Sequence, residues 1–196
     1  LQPRSPTSEA FRVLRTGIQF AAVDETNSLL LVTSATPGDG KSTTAANLAV
    51  VMAQAGRNVL LIDSDLRRPT QHRVFDLPNK RGLTNLLLEF TVDEDDEIIQ
   101  DYVNHTVQTT RVEGLVTMTS GPIPPNPSEL LGSAKMQRLL EVLTHQFDFV
   151  ILDSPPVLSV TDAAVLSVTA DSTLLVVRAN KSRKQHVRQA AEKLRE

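Results

Sequence analysis

The stretch Ala35-Thr36-Pro37-Gly38-Asp39-Gly40-Lys41-Ser42-Thr43 decides how the rest of the chain reads. It lies between an apolar run, Leu29-Leu30-Leu31-Val32, and a helix-forming run, Thr44-Ala45-Ala46-Asn47-Leu48-Ala49. A strand, a glycine-bearing turn and a helix N-terminus in that order predict a phosphate-binding loop. Gly38 and Gly40 let the backbone approach a polyphosphate, with successive N–H groups turned toward its oxygens. Lys41 is placed to reach the β- and γ-phosphates, and the Ser42 hydroxyl to ligate Mg²⁺. Pro37, Gly38, Asp39, Gly40, Lys41, Ser42 and Thr43 are thus the expected nucleotide contacts. The pattern G-x-x-x-x-G-K-[ST] starts here with Ala35 where glycine is usual.

Outward from the loop, five short apolar runs read as strands: 29–33, 59–63, 115–119, 149–153 and 173–178. They are continuous rather than alternating, as parallel strands covered on both faces require. Helical segments separate them, which predicts an α/β fold with a doubly wound, mostly parallel sheet and helices on both faces. The helix after the loop, 41–55, is apolar nearly all round and ends at Gly56. The acidic run 91–97 reads as a solvated loop or helix start. Residues 121–127 hold four prolines and form a stiff connection. Ser128 is the expected cap of a helix running towards Val142.

At 196 residues the chain is one domain with room for a sizeable core. A net charge of −3 offers no electrostatic footprint for nucleic acid, and none is expected as a partner. Without cysteine there are no disulfides and no thiolate metal sites. His72, His105, His145 and His186 are scattered and lack metal-ligand spacing. The chain begins at Leu1 rather than Met and reads as a segment of a longer protein.

The second run ends Ile62-Asp63-Ser64-Asp65-Leu66-Arg67-Arg68-Pro69, and the fourth ends Leu152-Asp153-Ser154-Pro155-Pro156. An aspartate after a strand is ordinarily a turn or cap residue. Three of them in a chain with a phosphate loop point instead to an Mg²⁺-nucleotide site. Spacing does not decide which carboxylate is the base and which lies on the metal side.

Here the chain resembles the bacterial tyrosine kinases, the ATPase domains of capsular and exopolysaccharide export regulators. Asp63-Ser64-Asp65-Leu66-Arg67-Arg68-Pro69 is similar to their Walker A′ motif. Ser8-Glu9-Ala10-Phe11-Arg12-Val13-Leu14-Arg15-Thr16, the 35–43 loop, Gly82-Leu83-Thr84-Asn85-Leu86-Leu87 and Asn126-Pro127-Ser128-Glu129-Leu130-Leu131 match as well. That family tolerates a small residue at Ala35. Thr36 stands where the chromosome- and septum-positioning ATPases place a second lysine, which argues against that branch.

The resemblance implies an ATP-dependent protein-tyrosine kinase domain over 1–196, with 7–22 as an N-terminal oligomerisation helix. It implies ATP/ADP and Mg²⁺ as ligands, Lys41 and Asp63 as catalytic residues, and Ser42, Asp65 and Asp153 on the metal side. Asp162 also matches a family position, although a helix cap is an equal reading. Glu9, Arg12 and Arg15 would join subunits into a homo-oligomeric ring; by spacing alone they read equally as a solvated face with a weak Glu–Arg pair. Further implied partners are tyrosine-containing protein substrates and a transmembrane polysaccharide co-polymerase or activator, fused or separate. The implied location is cytoplasmic, at the inner face of the plasma membrane. Kinases of the family usually end in clustered tyrosines, whereas Tyr102 is the single tyrosine here. A regulatory ATPase controlling ring assembly without phosphorylating tyrosine is the alternative expectation.

Overall fold

Apolar side chains on both faces of the central strands build the two layers of the molecule. The computed structural model describes residues 6–21 and 28–195. Its strands are β1 (Leu29–Ser34), β2 (Val59–Asp63), β3 (Gln108–Thr109), β4 (Leu115–Met118), β5 (Phe149–Asp153) and β6 (Ser172–Val176). They form one sheet in the order β3-β4-β2-β5-β1-β6, parallel except for the β3–β4 pair. Leu29, Leu31, Leu60, Ile62, Val150 and Leu152 enter one buried cluster, while Leu30, Val32, Val59, Leu61 and Ile151 enter the other. A period of two with both faces buried is what makes these runs apolar throughout.

Helices α1 (Pro6–Ala21) and α2 (Lys41–Ala53) lie on one side. The sheet covers one flank of α2, and Phe11, Leu14 and Ile18 of α1 pack into the same cluster. Sandwiching between sheet and α1 explains why α2 needs little polar surface. The other face carries α4 (Leu83–Glu89), α5 (Asp96–Asn104) and α7 (Ala134–Gln146), through residues such as Leu86, Ile99 and Leu139. Four shorter or peripheral helices complete the set: α3 (Gln71–Val74), α6 (Pro127–Leu131), α8 (Asp162–Ser167) and α9 (Lys184–Lys193).

The expected doubly wound sheet is present, with three local differences. A sixth strand, β3, pairs antiparallel with β4 through Gln108↔Thr117 and Thr109↔Val116; at two polar residues it carries no apolar signature. The helix expected to start from Ser128 is two helices. Asn126 occupies the N-cap position of α6 with Pro127 at its start, and Ser133 caps α7 by accepting from Met136 N. Ser128 is occupied elsewhere, as described below. Regular helix in α2 stops at Ala53, and a turn leads to Gly56 at φ 82°. Of the expected N-terminal segment, residue 22 lies outside the described residues.

Gly82, from the third matching motif, is required by space rather than by conformation. Its φ of −175° suits any residue, but an added Cβ would stand 2.0 Å from the Thr119 carbonyl oxygen. Leu83 N and Thr84 N donate to the Thr119 and Ser120 carbonyls, which holds α4 against the end of β4.

The strand order places the site. β5 inserts between β2 and β1, so Asp153 lies in register with both Asp63 and Val32. Three adjacent strands therefore present their carboxyl ends side by side, where ligands bind in sheets of this kind.

Candidate active site

The loop between β1 and α2 is braced by its own side chains. Asp39 Oδ2 accepts from Thr36 N at 3.1 Å and from Thr36 Oγ1 at 3.0 Å. Asp39 Oδ1 accepts from Ser182 Oγ at 2.8 Å, and Arg178 donates to Gly38 O at 3.2 Å, tying the loop to the turn after β6. Gly40, the N-cap of α2, has φ 99°, which favours glycine there. Asp39, expected among the nucleotide contacts, thus turns its carboxylate to bracing the loop.

A cavity of about 650 Å³ opens over this loop. Pro37, Gly38, Gly40, Lys41, Ser42 and Thr43 line one side; Asp65, Arg67, Arg68 and Thr70 line another, and Pro155, Pro156, Ser159 and Val160 complete the wall. Six of the seven loop residues expected to contact nucleotide therefore border it.

Lys41 joins the loop to the acidic groups. Its Nζ lies 2.8 Å from Asp65 Oδ2, 3.5 Å from Asp153 Oδ1 and 3.1 Å from Ser42 Oγ. Burial works to lower the ammonium's pKa, but Asp153 and Asp65 outweigh it and leave it above the ordinary value. Asp63 and Asp153 are fully buried. Asp63 Oδ2 accepts from Thr70 N and Gln71 N, each at 2.8 Å, while its Oδ1 has no hydrogen-bond partner. Burial and the neighbouring Asp153 push the Asp63 carboxyl up to about 7, against the pull of those two N–H groups. Burial also raises Asp153, opposed by Lys41 and by hydrogen bonds from Gln71 and Ser42.

Arg67 is an ion-pair partner rather than a free cation in the cavity wall. Its Nε and one terminal nitrogen meet Asp162 Oδ2 and Oδ1 at 2.9 and 3.1 Å. The hydrogen bond to Asp162 raises its pKa despite partial burial. Ser128 Oγ donates to Asp162 Oδ1 at 2.5 Å and accepts from Arg67 at 2.9 Å. Asp162 is not the helix cap; Thr161 takes that position and Asp162 opens α8, fully buried. Three motifs far apart in the chain so meet in one network beside the cavity.

The N-terminal trio lies on α1. Arg12 pairs with Glu9 at 3.0 Å, while Arg15 donates to Val51 O of α2 at 3.0 Å. Arg15 is therefore turned toward α2, while Glu9, Val13 and Phe20 remain exposed.

Gln71 was not singled out by sequence. It is fully buried, and its Nε2 donates to Asp153 Oδ2 at 2.7 Å and Ser42 O at 3.0 Å. No periodicity or charge marks a glutamine eight residues after Asp63, so the sequence held no signal for it.

The residues fit a magnesium nucleotide. Asp63 Oδ1 is a buried acceptor without a hydrogen-bond partner, and Asp153 Oδ1 meets only the Lys41 ammonium, at 3.5 Å, an arrangement with capacity for a further cation or a proton. Ser42 and Lys41 stand next to Asp153 at a helix N-terminus suited to phosphate.

The family described as an AAA domain matches residues 30–196. The chain is 46% identical over 193 residues to the tyrosine-protein kinase YwqD of Bacillus subtilis (strain 168), covering 98% of this chain and 77% of that protein. It is 42% identical over 189 residues to the putative tyrosine-protein kinase CapB of Staphylococcus aureus, covering 96% and 78%. The solved kinase domain of the Escherichia coli tyrosine kinase ETK superposes with a TM-score of 0.89 at 38% identity, covering 98% of this chain and 72% of that one. The Pyrococcus furiosus cell division ATPase MinD shares only the fold, at 22% identity. With kinase matches at 46% and 42% identity spanning nearly its whole length, the chain belongs to the bacterial tyrosine-protein kinases.

Proposed function

We propose that this domain transfers the γ-phosphoryl group of Mg-ATP to protein tyrosine, and that it does so in the service of capsular or exopolysaccharide export. The observation that carries the reading is the buried Asp63–Asp153 pair beside Lys41, at the floor of a phosphate loop. Ser42 would be the protein ligand of Mg²⁺ and Asp65 and Asp153 would hold its waters, and the ion would supply charge neutralisation at the phosphates. Lys41 then leaves its acidic partners for the phosphates and stabilises charge on the transferred group. Asp63 Oδ1 accepts the phenolic proton as the tyrosine oxygen bonds to phosphorus and the bond to ADP breaks. Asp63 suits that role because Oδ1 is unpartnered, whereas Asp65 accepts from Arg68 N and is assigned to the magnesium waters. Positioning supplies most of the rate in such a transfer.

The test is labelled ATP and a tyrosine-containing acceptor peptide, followed by phosphoamino-acid analysis. Phosphotyrosine is the expected product; label released only as inorganic phosphate would support the regulatory ATPase instead.

Among the described residues no helix is long and apolar enough to cross a membrane. We propose that the domain works at the cytoplasmic face of the plasma membrane with a transmembrane co-polymerase or activator. Neighbouring copies are proposed to close into a ring through Glu9, Arg12 and Arg15 of α1, a head-to-tail contact. Ring closure would exchange the Glu9–Arg12 pair within α1 for pairs between copies. Sedimentation of the parent protein tests this, with Glu9→Ala, Arg12→Ala and Arg15→Ala combined expected to shift it towards monomer. An unchanged profile would defeat the ring assignment.

A further inference from the structure

Gln71 spends its whole donor capacity on the metal side of the cavity. One amide, Nε2, donates to Asp153 Oδ2 at 2.7 Å and to the carbonyl of Ser42 at 3.0 Å. Its own main-chain N–H donates to Asp63 Oδ2 at 2.8 Å. A single residue so connects the end of β2, the first turn of α2 and the end of β5.

The amide's orientation is fixed by its surroundings. Flipping it would set the carbonyl oxygen against a carboxylate and a second carbonyl, two acceptors facing a third. In the observed orientation Oε1 is buried without a hydrogen-bond partner. A buried amide retained only to hold the fold together is expected to be satisfied at both ends. This one leaves its acceptor bare while both contacts of its donor go to Asp153 and Ser42. Asp153 Oδ2 is thereby occupied, and Oδ1 is the oxygen left toward Lys41.

We propose that Gln71 is a positioning residue for the magnesium nucleotide, fixing which oxygen of Asp153 faces Lys41 and where the Ser42 turn sits relative to it. The proposal rests on the assignment of Ser42 and Asp153 to the metal side. Partners of this kind typically change metal affinity by about 10–100-fold when removed.

The test is binding rather than turnover. Fluorescent ADP is titrated into the full chain with increasing Mg²⁺, and separately in EDTA. Gln71→Met and Gln71→Leu each remove both side-chain donations and add no charge. Both variants are expected to need about 10–100-fold more Mg²⁺ for half-maximal binding, with metal-free ADP affinity within about threefold of wild type. A purely structural role would lower the melting temperature and weaken ADP equally with and without Mg²⁺, which would overturn the proposal. An unchanged Mg²⁺ midpoint in both variants would overturn it as well. If Gln71→Met does not fold, Gln71→Leu decides alone. Wild-type protein whose ADP affinity ignores Mg²⁺ would instead strike at the metal-side assignment itself, and the proposal would fall with it.

Discussion

Lys41→Met is expected to cut phosphotyrosine formation by about 10²–10³-fold, the usual cost of removing one preorganised charge stabiliser. The same change should weaken the nucleotide-free fold. Lys41 Nζ stands between Asp65 and Asp153, and both carboxylates are almost wholly buried. Removing one partner of a buried ion pair costs about 3–5 kcal/mol because the remaining charge is left uncompensated. Asp153 already holds its proton more tightly than an exposed carboxyl, so protonation caps the loss near the lower figure. A drop of roughly 6–12 °C in melting temperature follows for a domain of this length. Scanning calorimetry without nucleotide and a labelled-ATP assay check the two effects separately. Phosphotyrosine within tenfold of wild type would remove Lys41 from the chemistry.

Asp63→Asn should separate the base from its neighbours. The asparagine keeps an oxygen for the Thr70 and Gln71 N–H groups but cannot take the phenolic proton. Loss of a general base costs about 10²–10⁴-fold in rate. The wild-type kcat/KM should rise with pH through about 7, where the Asp63 carboxyl ionises. That acid limb should vanish in Asp63→Asn and persist in Asp65→Asn; the reverse pattern would transfer the role to Asp65.

Stability follows from the same shift, with a definite sign. Burial raises the folded-state pKa of Asp63 from the ordinary 3.8 to about 7, so the native state binds the proton more tightly than the unfolded chain. The contribution of this group is therefore fully present below about pH 4 and is lost as pH rises through about 7. Asp63→Asn removes that dependence. Its melting temperature relative to wild type should climb between pH 5 and pH 8 in nucleotide-free protein. A flat difference across that range would mean that Asp63 is not a buried, proton-holding carboxyl.

The loop and both acidic strand ends were legible because each depends on local chemistry. Gly40 needs a positive φ, Lys41 and Ser42 follow it directly, and Asp63 and Asp153 each close an apolar run. What the sequence withheld was long-range pairing. Ser128 reads as a cap because it follows proline, yet its hydroxyl belongs to Asp162 on another helix. Gln71 carries no local signal, yet it reaches Asp153 across the site. Arg67 sits in a matching motif with no local sign of its partner, yet it makes a two-point contact with Asp162. β3 has no sequence signature because one half-buried and one exposed polar residue have no alternation to display. The family resemblance supplied the kinase assignment, and kinship with YwqD and CapB now stands behind it.

The insertion of β5 between β1 and β2 also governs the order in which the molecule can be built. β1 and β2 are joined through the α2 crossover early in the chain, but they never pair with each other; each pairs with β5 instead. A ribosome that has released only the first half of the domain has delivered an intact phosphate loop and no surface on which to seat it. Until residues 149–153 emerge, Asp63 lacks its partner and the apolar runs on either side of the gap stay unsheltered. Such non-local closure slows folding and leaves intermediates prone to association. Nucleotide binding is thus a property of the finished domain, arriving late and all at once during synthesis.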